Sequence, residues 1–418
     1  MTFESSSYSA DYAPSRRLWW ARGKTGWVVA LEAALARVQV GTITLTCPDG
    51  ITHKFVGEDN GMVAHLQLRD PRAARALFVG GTNGFAEAYL AGWWDTPDLT
   101  ALLGLAAANE QSFALEGRGA ASIRALRRLQ HLRRANSKRG SKRNISYHYD
   151  LGNDFYAAWL DPSMTYSSAL YDDAETSLAD GQLAKYKSIC QALDLKPGDH
   201  LLEIGCGWGG LCEVAARDFG AKVTAITLSA EQLAYARKRM EKAGLADQVE
   251  IKFCDYRDLT GSYDAVASIE MIEAVGEKYL PSYFEVLNKV SKPGGGIVVQ
   301  AITIAPDRYE EYRSAADFVQ RHVFPGGFLP TVEVLSATAS AAGLAITNTH
   351  LFGPSYARTL AAWHRRFENA WNDIAPQGFD ERFRRLWRFY LSYCEVGFET
   401  GRTNVGHYTF QKPSLGEA

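Results

Sequence analysis

Short apolar runs alternate with helical stretches along the chain from Lys196 onward. Apolar runs of about four to eight residues between turn residues are typical of strands buried in a parallel sheet. The alternation therefore predicts an α/β fold built on such a sheet. Seven strands are predicted, the last two as a late hairpin-like pair, at HLLEIG, KVTAIT, VEIKFC, YDAVASI, GIVVQAITI, AITNTHLF and GHYTFQK.

A different pattern precedes this region. Residues 30–100 contain strict apolar and polar alternation in VQVGTITLTCPDG and again in ITHKFVG, which predicts strands with a turn at Pro48, Asp49 and Gly50. AYLAGWWDTPDLTALL then predicts a helix and its successor. The sequence thus predicts an accessory domain over 1–117, a linker over 118–143 and a catalytic domain over 144–418.

The predicted linker is strongly basic. It contains nine arginines and lysines between Arg124 and Arg143 and no acidic residue, although the whole chain of 418 residues carries a net charge of only −2. Three interpretations remain open: a solvated helix and linker, a contact with an anionic membrane surface, and a contact with nucleic acid. Nucleic acid is the least favoured, because no aromatic side chains are interleaved with the basic ones.

The cysteines and the apolar runs limit the compartment. The six cysteines lack CxxC spacing, which argues against a disulfide framework and against a metal site, and a reducing cytosol fits best. No uninterrupted apolar run approaches membrane-spanning length. The expected location is therefore cytoplasmic, with peripheral association at the inner face of the membrane.

A strand followed by a glycine-rich turn, LLEIGCGWGG at 201–210, is the strongest sign of a cofactor. Glu203 ends the strand, and Gly205, Gly207 and Gly209 let the backbone approach a ligand. The string also satisfies GxGxxG, which alone could indicate a dinucleotide. The next strand, however, ends at Thr227, Leu228 and Ser229, with Gln232 one turn later, and lacks the acidic residue that nicotinamide folds use.

The third strand ends at Asp255 and Tyr256, a carboxylate and an aromatic face where an adenine would lie. With seven strands, these features favour S-adenosylmethionine (SAM) and a SAM-methyltransferase, Rossmann-like sheet with helical lid insertions, plus a smaller mixed N-terminal domain. Aromatic side chains at helical spacing follow the sheet, and they predict core packing or, with the 305–335 insertion, an acyl pocket: Trp363, Phe367, Trp371, Phe383, Trp387 and Tyr390.

Five motifs occur in one order: NISYHYDLGNDFYAAWLDPSMTYSSALY, the glycine turn, SIEMIEAVGEKY, VFPGGFLP and SYARTLAAWHRRF. Over about 144–410 the chain resembles the cyclopropane-fatty-acyl-phospholipid synthase family. The resemblance implies addition of the SAM methyl carbon across a cis double bond of a phospholipid acyl chain. The expected partners are that lipid and an anionic membrane surface, without nucleic acid, and a homo-oligomer is compatible with the sequence.

The resemblance also assigns roles to residues. Tyr166 and Ser167 are expected to help hold SAM, with Gly205 and Gly207 at its amino-acid end. Leu228 and Gln232 are expected at the ribose and Tyr256 at the adenine. The family uses a bound bicarbonate ion as the base, and its expected holders are Glu273, Tyr356, Ser168 and the backbone at Ile269.

The chain departs from the usual bacterial pattern at three of these places. Ser168 replaces a cysteine, Ala274 replaces a histidine, and QAITI at 300–304 lacks a bicarbonate-binding histidine. The combination of YSSA, EMIEAVG and QxITI resembles the plant-type branch of the family, which also makes cyclopropanes. A methyl-branched or methylene acyl chain is the alternative product. Two alternative functions are a small-molecule or RNA methyltransferase and a non-catalytic SAM- or lipid-binding protein.

Overall fold

The computed structural model describes residues 26–113 and 151–413, and the chain divides into two compact units. The first unit comprises the described residues of Met1–Leu129 together with Phe379–Val396, and the second comprises those of Gln130–Gly378 and Gly397–Ala418. The sequence placed 379–396 in a catalytic domain continuous over 144–418. By packing, this segment belongs with N-terminal residues instead. The basic linker, 118–143, lies outside the described residues.

A four-stranded sheet in the order β2-β1-β3-β4 organises the first unit. Strands β1 and β3 are parallel, and the pairs β1–β2 and β3–β4 are antiparallel. The predicted strands at 38–50 and 51–57 are present as β1 and β2, but the sequence did not predict β3. Its first five residues are exposed, so the alternation that marks a strand begins only at Ala64. The elements are α1 (Gly26–Leu35), β1 (Val40–Thr46), β2 (Thr52–Val56), β3 (Asp59–Leu68), α2 (Arg72–Leu90), β4 (Trp94–Asp95), α3 (Leu99–Ala108) and α4 (Glu110–Phe113).

A buried arginine explains how Phe379–Val396 packs within this unit. The Arg385 guanidinium donates to the backbone oxygens of Tyr89 at 2.5 Å and Trp94 at 2.8 Å, and it lies 3.9 Å from the centre of the Tyr89 ring. Asp95 provides the countercharge at 3.3 Å. A buried guanidinium is stable only when its donors are satisfied in this way.

The second unit is built on a seven-stranded sheet in the order β10-β11-β9-β8-β5-β6-β7. All seven predicted strands are present. Strands β5 to β9 pair in parallel, whereas β11 is antiparallel to both β9 and β10. The predicted late pair is therefore confirmed, although helices separate its two strands along the chain. The strands are β5 (His200–Ile204), β6 (Lys222–Thr227), β7 (Val249–Phe253), β8 (Tyr263–Ile269), β9 (Ser291–Ile304), β10 (Ala345–Leu351) and β11 (Thr403–Gln411).

The central strands of this sheet have consecutive buried residues, which point to opposite faces, so both faces are covered there. Leu201 and Val223 pack in one cluster with residues of the helices that follow β5 and β6, whereas Leu202 and Ile226 pack in a second cluster on the other face. The helices of the second unit are α5 (Asn153–Trp159), α6 (Leu178–Ala192), α7 (Gly210–Phe219), α8 (Ala230–Ala243), α9 (Leu280–Val290), α10 (Tyr309–Ser314), α11 (Phe318–His322), α12 (Val332–Ala341), α13 (Gly353–Asn369) and α14 (Trp371–Ile374).

Helical insertions occur where the sequence predicted them. The insertion after β9 contains α10, α11 and α12, and α11 begins with a capping box formed by Asp317 and Gln320. Between β10 and β11 the chain forms α13, α14 and α15 (Glu381–Glu399). The aromatic stripe divides between the units: Trp363 and Phe367 are buried in the second, and Trp387 and Tyr390 lie in the segment that packs with the first.

All six cysteines lie within the residues that the structure describes. All six cysteines are free thiols. Within 26–113 and 151–413, the helices are too short or too polar to span a bilayer.

Candidate active site

A cavity in the second unit lies at the carboxyl ends of the parallel strands, where open α/β sheets bind ligands. It is bounded by residues that follow β5, β6, β7 and β8, together with the segment before α6. The sequence-predicted residues that line it are Tyr166, Ser167, Glu203, Gly205, Gly207, Thr227, Leu228, Gln232, Tyr256 and Ile269. One cavity therefore contains most of the predicted cofactor positions and one predicted base position.

The glycine turn after β5 is shaped for close approach of a ligand. Gly205 has a φ of 84°, and a Cβ there would lie 2.9 Å from Cγ of Met271. Gly209 has a different role: it is the N-cap of α7, and a Cβ there would lie 3.2 Å from Cβ of Ala236. The first glycine keeps the cavity open, whereas the last allows two helices to pack.

Hydroxyl and amide groups at the end of β6 form a connected set. The Thr227 hydroxyl donates to Oε1 of Gln232 at 2.9 Å, and both residues line the cavity. The Ser229 hydroxyl accepts from the backbone N–H of Gln232 at 3.2 Å and so caps α8. Thr227 and Gln232 are thus fixed in orientation toward a ligand, and Ser229 supports the helix.

The two residues predicted at the end of β7, Asp255 and Tyr256, have different roles. Tyr256 faces the cavity, but the Asp255 carboxylate is paired with Arg257, which donates from Nε at 2.8 Å and from Nη2 at 2.6 Å. That side-chain hydrogen bond raises the pKa of Arg257 further. Asp255 therefore organises the turn, and Tyr256 offers its ring to the cavity.

A fully buried lysine, which the sequence analysis did not select, supports the segment before α6. Lys185 donates from Nζ to Oγ of Ser167 at 2.6 Å, and burial lowers the pKa of Lys185 to about 8. Carboxylates at Glu270, Asp161 and Glu203 oppose this shift. The signal was present in the sequence, because Gln182, Lys185, Tyr186 and Ile189 recur at the spacing of one buried helix face.

Glu203 lies at the bottom of the same cavity. The Cys212 thiol donates to its Oε2 at 2.8 Å, and burial raises the pKa of Glu203 to about 7. A cationic amino group of a ligand would therefore find a carboxyl that ionises readily in its presence.

Glu270, at the end of β8, is the most important residue that the sequence analysis missed. Its Oε2 accepts from the Tyr356 hydroxyl at 2.6 Å, and its Oε1 accepts from the Ser168 backbone N–H at 2.8 Å and from Nε2 of Gln300 at 2.7 Å. Glu270 lines the cavity. A carboxylate directly after a parallel strand is the signal that could have identified it.

Two of the predicted base holders, Tyr356 and Ser168, therefore donate to Glu270 and not to Glu273. Oε1 of Glu273 accepts from the Ile302 backbone N–H at 2.6 Å, and its Oε2 has no hydrogen-bond partner among the described residues. Burial raises the pKa of Glu273 to about 8, and the Glu270 charge adds to this shift. The Ser168 hydroxyl donates to the backbone oxygen of Ala169 at 2.8 Å, so this residue contacts Glu270 only through its backbone.

A histidine from a different strand orients Gln300. Nε2 of His407 lies 3.0 Å from Oε1 of Gln300, and the two residues are paired across β11 and β9. Burial lowers the pKa of His407 to about 3, so the imidazole is neutral and can donate this proton. The amide oxygen of Gln300 is then occupied, which directs its NH2 group toward Glu270.

Aromatic rings surround one side of the site. The Tyr166 ring centre lies 5.2 Å from that of Trp363 and 5.3 Å from that of Tyr156, and the Tyr356 ring stacks on Phe398 at 4.5 Å. In this set of rings, the aromatic wall, the sequence analysis had named Tyr166, Tyr356 and Trp363 but not Tyr156 or Phe398. Electron-rich faces of this kind attract cations.

The residues present fit SAM. The turn at Gly205 brings backbone without a Cβ to the cavity, Glu203 can meet an amino group, Thr227 and Gln232 offer hydroxyl and amide groups to a ribose, and Tyr256 offers a ring to an adenine. Elsewhere, potential ligand atoms of Glu32, Cys47 and His53 lie within 4.8 Å of one another in the first unit. The Cys47 thiol donates to Glu32, so these side chains contact each other, and we assign no metal to them.

Comparisons with known proteins identify the family of the chain. The family model described as mycolic acid cyclopropane synthetase matches residues 136–408. Tuberculostearic acid methyltransferase UfaA1 of Mycobacterium tuberculosis is 38% identical over 98% of both chains. Cyclopropane-fatty-acyl-phospholipid synthase of Escherichia coli strain K12 is 34% identical, over 84% of this chain and 88% of its own.

The chain is also similar to solved structures of cyclopropane synthases. The cyclopropane synthase MmaA2 from Mycobacterium tuberculosis has a TM-score of 0.61 and 27% identity, covering 65% of this chain and 98% of its own. Mycolic acid cyclopropane synthase CmaA1, complexed with SAH and CTAB, has a TM-score of 0.61 and 26% identity over the same shares.

Proposed function

Because this chain belongs to the mycolic acid cyclopropane synthetase family and is a SAM-dependent methyltransferase of the cyclopropane synthase type, we propose that its substrate is a phospholipid acyl chain. The methyl carbon of SAM is added to a cis double bond of that chain, and a proton is then removed to close a cyclopropane ring. The observation that carries the proposal is a single cavity that joins the cofactor positions to the buried carboxyl of Glu270.

The chemistry assigns three tasks to the residues of this chain. SAM supplies an electrophilic methyl group. An alkene is a weak nucleophile, so the walls of the cavity must align it and exclude water. After methylation the acyl chain carries a positive charge, which aromatic faces stabilise without capturing it. The aromatic wall, with Tyr166 at the cavity and Trp363 behind it, is suited to this task.

Removal of a proton completes the reaction. The resemblance to the family implies bicarbonate as the base, held by Tyr356, Ser168, Glu273 and the backbone at Ile269. In this chain the Tyr356 hydroxyl and the Ser168 N–H both donate to Glu270. These two donors are therefore engaged by a carboxylate of the chain itself.

A second candidate product is a methyl-branched or methylene acyl chain. It is favoured by the full-length match to a relative that is named as a methyltransferase and not as a cyclopropane synthase. If a hydride moves to the positive carbon before proton loss, the same first step yields a methylene branch in place of a ring. We infer no small-molecule or nucleic-acid substrate, because the family match points to lipid modification.

Incubation of the full-length protein with methyl-labelled SAM and mixed unsaturated phospholipid vesicles is expected to label acyl chains. Mass spectrometry should show a gain of one CH₂ with loss of the double bond for the ring. A gain with unsaturation retained would establish the methylene product. Label found only in protein or RNA would disprove lipid methylation altogether.

We also propose that the enzyme reaches its substrate from the cytoplasmic surface of the membrane, through the basic segment at 118–143. The proposal rests on charge, because arginine and lysine near an anionic surface contribute about 1 kcal/mol each. Replacement of Arg127, Arg128, Arg133 and Arg134 by glutamate is expected to reduce sedimentation with anionic vesicles at low salt. Unchanged sedimentation would exclude this segment as the docking surface, and neutral vesicles serve as the control.

A further inference from the structure

We propose that Glu270 is the base that removes the proton from the newly attached methyl group, in place of free bicarbonate. The inference rests on the proposed function, since it concerns the last step of that reaction. It assigns to a side chain of this protein a task that the family resemblance assigns to a dissolved ion.

The hydrogen-bond donors around Glu270 carry the inference. Bicarbonate and a carboxylate share a planar group of one carbon and two oxygens with negative charge, so the same donors can hold either. Of the residues expected to hold bicarbonate, Tyr356 and Ser168 both donate to the Glu270 carboxylate, at 2.6 and 2.8 Å. The ion's expected donors are thus already occupied by a carboxylate that is part of the chain.

The position of the missing histidine gives a second argument. Gln300, in the QAITI segment, donates to Oε1 of Glu270 at 2.7 Å, and neutral His407 directs that amide by hydrogen bonding to its oxygen. The segment that lacks the bicarbonate-binding histidine thus supplies a donor to Glu270.

The backbone also presents Glu270 to the cavity. Its φ is 47°, which non-glycine residues rarely adopt, and strained positions of this kind concentrate at functional sites. The N–H of Glu270 donates to the backbone oxygen of Gln300 at 2.8 Å, and this bond holds the unusual conformation. Glu273, one turn later, lies outside the cavity lining among the described residues.

The charges around Glu270 suit a base. Burial raises the pKa of the Glu270 carboxyl above its ordinary value, whereas the hydrogen bond from Tyr356, the Ser168 N–H and the Lys185 charge all lower it. A general base is most effective when its pKa approaches the working pH. Burial raises the pKa of Glu273 to about 8, and fewer hydrogen bonds stabilise the charged form of this carboxyl than that of Glu270.

The proton-transfer step balances without another reactant. A C–H bond of the transferred methyl group breaks, and its electron pair forms a C–C bond to the positive carbon, which closes the ring. The proton passes to a Glu270 oxygen. If a hydride shift occurs first, the same C–H pair instead forms the C=C bond of the methylene product, and the proton again passes to Glu270.

Bicarbonate dependence tests the inference. In CO₂-free buffer, the wild-type protein should methylate vesicles of unsaturated phosphatidylglycerol at an unchanged rate. Glu270→Ala should lose about 100-fold or more in turnover, the usual contribution of a general base. Millimolar bicarbonate or formate should restore part of that activity, because the small ion can enter the vacated space beside Tyr356, Ser168 and Gln300.

Glu270→Gln separates loss of the base from loss of shape. The amide keeps the volume of the side chain and an acceptor for Ser168 and Gln300, so the fold and SAM binding should persist, with a dissociation constant within about threefold of wild type by calorimetry. Turnover should fall as in Glu270→Ala, but without rescue by bicarbonate, since the space remains filled. Glu285→Gln, an exposed carboxyl on α9, is the matched control.

Two results would overturn the inference: a wild-type protein that requires added bicarbonate, or a folded Glu270→Gln protein with wild-type turnover. Failure of the proposed function is a different result, in which the wild-type protein transfers no label to any unsaturated lipid with or without bicarbonate. Rescue of Glu270→Ala by formate supports the side-chain base, because formate supplies a carboxylate that is unrelated to the CO₂ equilibrium.

Discussion

Replacement of Gly205 by alanine is expected to weaken SAM binding by about 100-fold or more, equivalent to about 2.7 kcal/mol. The added Cβ would lie 2.9 Å from Cγ and 3.1 Å from Cβ of Met271, so the Met271 side chain would have to rotate, and its Cβ could move away only with the backbone. The φ of 84° adds the strain of a left-handed residue. Calorimetric titration with SAM measures the effect directly.

Gly244→Ala is the control for this prediction. Gly244 also has a positive φ, of 69°, but a Cβ there would meet nothing within 4 Å. This variant should lose about 1 kcal/mol of stability and bind SAM normally. If folded Gly205→Ala bound SAM as tightly as wild type, the turn would not approach the cofactor and the assignment of the cavity would be wrong.

The central strands of the sheet were predictable because they are buried on both faces. Runs such as LLEI and VTAIT are too short and too continuous for helices, and each lies between turn residues. All seven strands were located from the sequence, including the largely exposed edge strand β10. Strand β3 was not, because half of its length is exposed and lacks an apolar period.

Long-range packing was not predictable in the same way. The apolar stripe of Phe383, Trp387 and Tyr390 shows that a helix is buried, but not against which element. The partners of Arg385, the Tyr89 and Trp94 backbone oxygens and the Asp95 carboxylate, lie nearly 300 positions earlier in the chain. Helical spacing contains no information about such a partner.

The candidate site was likewise predictable only in part. Motif comparison selected Tyr356 and Ser168, and both lie at the site. It selected Glu273 and missed Glu270, which stands three residues earlier in SIEMIEAVG, because the sequence does not show the positive φ at Glu270. Likewise, His407 and Gln300 meet only because β11 pairs with β9 in one register.

Tyr356→Phe is expected to lower turnover by about 10- to 100-fold, the cost of a lost hydrogen bond to a charged group. The ring remains, so its stacking on Phe398 and its contact with Trp363 should be preserved. Without the Tyr356 hydroxyl, the pKa of Glu270 should rise further, because that hydrogen bond is the largest of the effects that lower it. The acid limb of the pH–rate profile should therefore move to higher pH.

A purely structural role for Tyr356 would lower activity without moving the acid limb. Tyr263→Phe provides the comparison, since this buried hydroxyl donates to the Thr260 backbone oxygen at 3.3 Å at the opposite end of β8. It should leave the profile in place. An unshifted profile in Tyr356→Phe would contradict the proposed role of the Tyr356 hydroxyl as a donor that positions and tunes Glu270.

The double variant tests whether Tyr356 acts through Glu270. Residues that act as a unit show losses that do not add, whereas independent contributions multiply. In the Glu270→Gln protein the base is already absent, so removal of the Tyr356 hydroxyl should cost little more. If Tyr356→Phe instead caused its full loss of turnover in that background, the hydroxyl would act on the substrate or the cofactor directly. The short hydrogen bond to Glu270 would then be incidental to the reaction.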